Sequence, residues 1–158
     1  MGAWGEGHFE NDTALDWIYD LKPPKKRLFG LLQADPISYC LDTVTPVIDS
    51  HYVDADAACE LLAAAECIAL VRGHPAHELP EDIHDWHQQI KHIHTQAGED
   101  HIVQWVIEAV QRVKSPTESE LNELWEETED YPNWLAAVDD LIERLRLPPE
   151  MPTNSIIN

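Results

Sequence analysis

A stripe of small and aliphatic residues in the middle of the chain, Ala58, Leu61, Leu62, Ala65, Ile68 and Ala69, sets the strongest limit on how this sequence can fold. Its spacing is that of a helix and not of a strand. Asp54 or Asp56 supplies an N-terminal cap, and Arg72-Gly73 supplies a cation in the last turn with a glycine just beyond it. The alanines allow a neighbouring helix to approach closely, so this helix is expected at the centre of the molecule. The chain has 158 residues, 44% of them hydrophobic, enough to bury one core without a metal or a disulfide.

The rest of the sequence repeats the helical period. Ala14, Trp17, Ile18 and Leu21 form one stripe, capped by Asn11, Asp12 or Thr13. Lys22-Pro23-Pro24-Lys25-Lys26-Arg27 breaks the pattern and reads as a basic turn, while Leu28 to Gln33 fits either a helical turn or an extended segment. Asp35-Pro36 reads as a cap followed by a first-turn proline, with Ile37, Cys40, Leu41, Val44 and Val47 behind it and a kink or stop expected at Pro46. Pro80 opens a helix carrying Ile83, Trp86, Ile90 and Ile93 that Gly98 should stop. Ile102, Trp105, Val106, Ala109, Val110 and Val113 form the next stripe. Ser115-Pro116-Thr117-Glu118 reads as a capping box ahead of Leu121, Leu124 and Trp125. Tyr131-Pro132 starts a last helix with Trp134, Leu135, Val138, Leu141, Ile142 and Leu145 inward, ended by Pro148-Pro149. The expectation is one all-α domain over 1–149, with six to seven helices that are mostly antiparallel neighbours, and a loose tail over 150–158.

The opening segment is of another kind. Between Met1 and Trp17, glycines (Gly2, Gly5, Gly7), aromatics (Trp4, Phe9) and acids (Glu6, Glu10, Asp12, Asp16) alternate densely, which predicts a tucked-in N-terminal plug sharing a core with the first helix. The order Met-Gly-x-Trp-Gly-x-Gly-x-Phe-Glu-Asn-Asp-x-Ala-x-Asp-Trp resembles the signature opening of the bacterial family called domain of unknown function 4259, matching it from Met1 to Trp17 without a gap. That resemblance implies a helical remainder of similar length and no stated activity, cofactor or catalytic residue.

Thirty Asp and Glu against ten Lys and Arg give a formal net charge of −20, a field that repels nucleic acid and anionic lipid and favours basic partners or plain solubility. No basic, apolar leader and no run long enough to span a bilayer is visible, so the expected compartment is the cytoplasm and no membrane is expected. Cys40, Cys59 and Cys67 lack CxxC spacing and lie in apolar helical stretches, which predicts buried free thiols.

Three groups of side chains are candidates for function. His84 and His87 are an i, i+3 pair with His94 about two turns on, the beginning of a metal site that lacks a specified third ligand. Glu6, His8, Glu10, Asp12 and Asp16 could gather a general acid and base, although capping and helix-dipole roles already account for the last two. Glu118 to Asp130 holds seven acids in thirteen residues; with Leu121, Leu124 and Trp125 inward, Glu120, Glu123, Glu127 and Glu126 should project into solvent.

The expected function is a non-enzymatic, acidic binding protein that needs no cofactor and engages a basic protein. Its concrete form is an immunity or inhibitor protein against a bacterial nuclease toxin, with Glu120, Glu123, Glu126, Glu127, Glu129 and Asp130, joined by Glu6 and Glu10, as the binding surface. One alternative is a metal-binding protein or metal-dependent hydrolase using His84 and His87. Another is a structural or regulatory protein that self-associates through exposed tryptophans, Trp125 and Trp134 being the candidates.

Overall fold

A computed structural model describes residues 2–25 and 34–150, and the segment Leu28 to Gln33 lies outside the described residues. It is all-α, with α1 Asp12–Asp20, α2 Ser38–Asp49, α3 Ala55–Val71, α4 Glu81–Ile90, α5 Asp100–Lys114, α6 Glu120–Glu126 and α7 Tyr131–Arg146. A 3-10 turn, Gln96–Gly98, precedes α5. No described helix is long and apolar enough to cross a membrane.

The Ala-rich helix α3 is the centre. It packs against each of the other six helices, and every residue from Ala58 to Leu70 except Glu60 is buried. Asp54 is its cap, accepting from the Ala57 N–H at 2.9 Å. At its other end Gly73 takes φ +94, a conformation costly for a residue with a Cβ. The His74 N–H reaches the Ala69 carbonyl and the Gly73 N–H the Leu70 carbonyl, each at 2.9 Å, which satisfies the last carbonyls of the helix. The C-terminal segment closes over this end: Arg72 Nη2 donates to the Leu147 carbonyl at 2.7 Å and the Glu150 N–H to the Arg72 carbonyl at 2.9 Å. Glu150 is therefore held by backbone, and only 151–158 of the expected tail falls outside the described residues.

Of the three caps the sequence offers for α1, Asn11 is the one used, its side chain accepting from the Ala14 N–H at 2.7 Å, and Asp12 is the first helical residue. Several other helix ends differ from the sequence reading. Asp35 does not cap α2: it accepts from Ile37 N–H and from Gln96 N–H, tying the chain before α2 to the 3-10 turn, and the helix starts only at Ser38. Pro46 neither ends nor delimits α2, which runs on to Asp49. Pro46 and Asp42, whose carbonyl loses its partner, both lie on the exposed side, where water serves that carbonyl.

Helix α4 stops at Ile90, two turns short of Gly98, because the chain turns at Lys91 and Thr95 starts a separate cap, accepting from the Ala97 N–H. The cap of α6 is Ser119, not the Ser115–Glu118 box. Backbone pairing of Val53 with Glu118 and Glu120 moves the start onward, at 2.8 and 3.0 Å. The fully buried Asn122 then ties α6 in place, donating to the Lys114 carbonyl at 2.7 Å and accepting from the Tyr131 hydroxyl at 3.1 Å.

Trp125 and Trp134 are both buried and stack with ring centroids 6.0 Å apart, so neither supplies the exposed aromatic that self-association was to use. Of the two aromatics of the expected plug, Trp4 is 59% exposed, whereas Phe9 is in the core.

Because Leu61 has no exposed surface and sits where α3 meets its neighbours, Leu61→Ala should cost about 3 kcal/mol of stability in chemical denaturation. Leu15→Ala, on the outer side of α1, should change it by less than about 0.5 kcal/mol.

Candidate functional site

Glu66 is the one carboxylate inside the apolar body of α3, 3% exposed. A buried charge needs partners. Two arrive from opposite ends of the sequence. Arg144 of α7 grips the carboxylate with two donors, Nη1 to Oε2 and Nη2 to Oε1, both at 2.8 Å. His8 of the N-terminal loop bonds Oε1 through Nδ1 at 2.7 Å. Arg144 is in turn held by Asp140 Oδ2 at 2.7 Å, one helical turn away, and by the His74 carbonyl at 3.1 Å.

These contacts set the protonation of the centre. Burial alone would push the Glu66 carboxyl up, but the hydrogen bonds and charges of His8 and Arg144 outweigh it and bring it down to about 2. Burial likewise works against the Arg144 charge, and Glu66 with Asp140 more than restores it, so its pKa is raised. The His8 Nε2 is buried and has no hydrogen-bond partner.

The loop that delivers His8 accounts for the density of its sequence. Ala3 pairs with Asn11, Trp4 N–H donates to the Glu10 carbonyl at 3.0 Å, and the Gly7 N–H donates to Glu10 Oε2 at 2.8 Å. A Cβ on Gly5 or Gly7 would run into that carboxylate, so the two glycines make room for Glu10 to fold over its own loop. Phe9 then enters the core and His8 is turned toward α3.

A cleft of about 640 Å³ opens over the centre. Its walls are the N-terminal loop, the 76–80 connection and α7; His8, Glu66 and Arg144 line its floor, and Glu6, Glu10, Glu78 and Asp140 surround it. The sequence reading had gathered Glu6, His8 and Glu10 as a possible centre, and they do line one cleft, whereas Asp12 and Asp16 belong to α1 and do not. Glu66 and Arg144, at sequence separations of 58 and 78 within the network, were missed. The available signal was a single acid in an otherwise apolar helical run, Leu61 to Leu70.

The other candidates are placed as follows. His84 is exposed, His87 half-buried with its pKa lowered by burial, Lys91 and His84, and His94 lies beyond the end of α4. Among the described residues no three His, Cys, Asp or Glu side chains are grouped to hold a metal ion. All three cysteines are buried and free; burial, with Asp56 and Glu60 nearby, pushes the Cys59 thiol up to about 12, the reverse of what a nucleophile needs. On the acidic segment, Glu123, Glu126, Glu127, Glu129 and Asp130 are exposed, but Glu120 turns inward and accepts from the Ala55 N–H at 2.7 Å. It serves the start of α3 because Ala55 has no earlier helical carbonyl to bond.

The model of the family described as Domain of unknown function (DUF4259) matches residues 2–137. No curated protein and no solved structure matches the chain.

The Glu66 centre predicts a particular pH dependence. A carboxyl lowered from its ordinary 4.5 to about 2 on folding stabilises the protein above about pH 4.5 and loses that contribution as the pH falls toward 2. Glu66→Gln should therefore be less stable than wild type by on the order of 3 kcal/mol at neutral pH. Denaturation at a series of pH values should show this gap narrowing between 4.5 and 2; a gap constant with pH would refute the charged centre.

Proposed function

We propose a function for this chain on the premise that it belongs to the DUF4259 family. It is a non-enzymatic, acidic binding protein of the cytoplasm that engages a basic protein partner. In its concrete form it is an immunity or inhibitor protein that neutralises a bacterial nuclease toxin by occupying the surface with which the toxin binds phosphates.

The observation that carries this reading is the face made by the outer side of α6 and the turn into α7. Glu123, Glu126, Glu127, Glu129 and Asp130 are all exposed there, and among the described residues no cation forms an ion pair with any of them. Cations that could have neutralised the face are committed elsewhere. Arg112 is turned to Glu118 and to the carbonyls ending α2, Lys114 to Asp139, Arg144 to Glu66 and Asp140, and Arg146 to Glu143. Five like charges left side by side repel one another, a cost that a basic partner relieves. The N-terminal loop packs against the inner side of α6, its residues sharing a small void with Leu121 and Trp125. That loop also carries exposed Trp4, an aromatic of the type that concentrates binding energy at interfaces.

Affinity capture from the native cell lysate should recover a basic protein in stoichiometric amount, and the wild-type chain should suppress that protein's nuclease activity. The variant E126K/E127K/E129K should slow association about tenfold or more at low ionic strength, with a smaller difference at high salt. Unchanged association kinetics in that variant would sink the electrostatic mechanism.

A further inference from the structure

The cleft above the Glu66 centre has a chemical bias of its own, which the acidic face of α6 does not explain. The only Arg or Lys that lines it among the described residues, Arg144, already directs four of its five N–H groups to Glu66, Asp140 and the His74 carbonyl, and its charge is matched by the two carboxylates. Among the described residues no Lys or Arg of the lining is left to receive an anion, and His77 is the remaining basic side chain on the wall. Acceptors, in contrast, are in surplus. Glu6 on the N-terminal loop and Glu78 on the 76–80 connection both line the cleft, and neither is in an ion pair among the described residues.

A second, independent observation points the same way. His8 also lines the cleft, its side chain is more than nine-tenths buried, and its Nε2 has no partner. Nδ1 is taken up by Glu66, so Nε2 is the ring atom left for a further partner. Phe9, Leu79, Pro80 and Ala137 supply apolar wall between these polar groups.

We infer that this cleft is a binding site for an organic cation, a primary ammonium carried on an alkyl stem. Such a group has three donors and no acceptor, the complement of a cleft with free carboxylate acceptors and, among the described residues, no uncommitted Lys or Arg. Its stem covers the apolar wall and its charge lies between Glu6 and Glu78. The cleft volume, about 640 Å³, is within the usual range for small-molecule sites and holds such a group with room to spare. Two sources present this chemistry, a free polyamine and a lysine side chain of a bound protein. The inference rests on the cleft alone and does not require the basic-partner reading.

The test is an amide and imidazole nitrogen chemical-shift titration of the full chain with butylammonium, with butyrate and butanol as controls. Butylammonium should give saturable shifts at Phe9, Leu79, Ala137 and the His8 ring, and neither control should. In E6Q/E78Q, where both changed side chains are exposed and the fold is spared, affinity should fall roughly tenfold. E126K/E127K/E129K should bind butylammonium as wild type does, which separates this site from the partner face. Tighter binding of spermidine than of the peptide acetyl-Gly-Lys-Gly-amide would identify a free amine as the natural ligand, and the reverse order a protein side chain. Absence of saturable shifts, an equal response to butyrate, or an unchanged affinity in E6Q/E78Q would overturn the inference.

Discussion

One buried carboxylate organises the molecule. Glu66 lies in the middle of a helix that is otherwise apolar on almost every side, at a position where an unpaired charge would cost several kcal/mol. The fold meets that cost only if Arg144 of α7 and His8 of the N-terminal loop reach it together. The requirement is geometric as well as energetic. A bidentate guanidinium fixes the rotation of α7 on α3, and the imidazole fixes where the loop must lie. Hydrophobic packing tolerates small slides of helix on helix; a buried, hydrogen-bonded ion pair tolerates far less. Glu66 thus selects one arrangement of three segments that are distant in sequence.

The N-terminal loop is best understood as the device that presents His8. Glu10 folds back onto the Gly7 N–H, two glycines clear its path, Asn11 closes the loop by capping α1, and Phe9 anchors it in the core. Most residues named here have a local duty, which is why the segment looks dense with meaning in the sequence. Trp4 is the exception. Its backbone N–H pairs with the Glu10 carbonyl, but its side chain remains in solvent, so the most conspicuous side chain of the opening is not what holds the loop together.

Helices with clean periodicity were legible in the sequence: α3, α5 and α7 lie where their stripes put them, because burial of one face fixes a helix wherever its neighbours are. Ends were harder to read. Ser119 replaces the Ser115 box only because Val53, more than sixty residues earlier, pairs with the chain on both sides of it, and Glu120 leaves the solvent face to serve the start of α3. Both are long-range effects that no local pattern carries. The candidate site was half legible for the same reason. Its loop residues stood out, but nothing near them in sequence announces Glu66 or Arg144. The signal that did exist, an acid between Ala65 and Cys67 in an apolar helix, says that a buried cation must come from somewhere and not from where.

The same economy of charge shapes the surface. Basic residues are scarce in this chain, and the described arginines are largely spent on internal work: Arg72 on the carbonyls of Ala97 and Leu147, Arg112 on the end of α2, Arg144 on Glu66. Of these, Arg72 and Arg112 spend their donors mainly on neutral carbonyls, so they hold backbone in place without cancelling an acid of α6. The outside of the protein is therefore more uniformly negative along the α6 face than composition alone would indicate. A field of one sign extends about a Debye length, roughly 8 Å at physiological salt, and reaches an approaching partner before any contact forms. Internal stability and external charge are two consequences of where the few cations went.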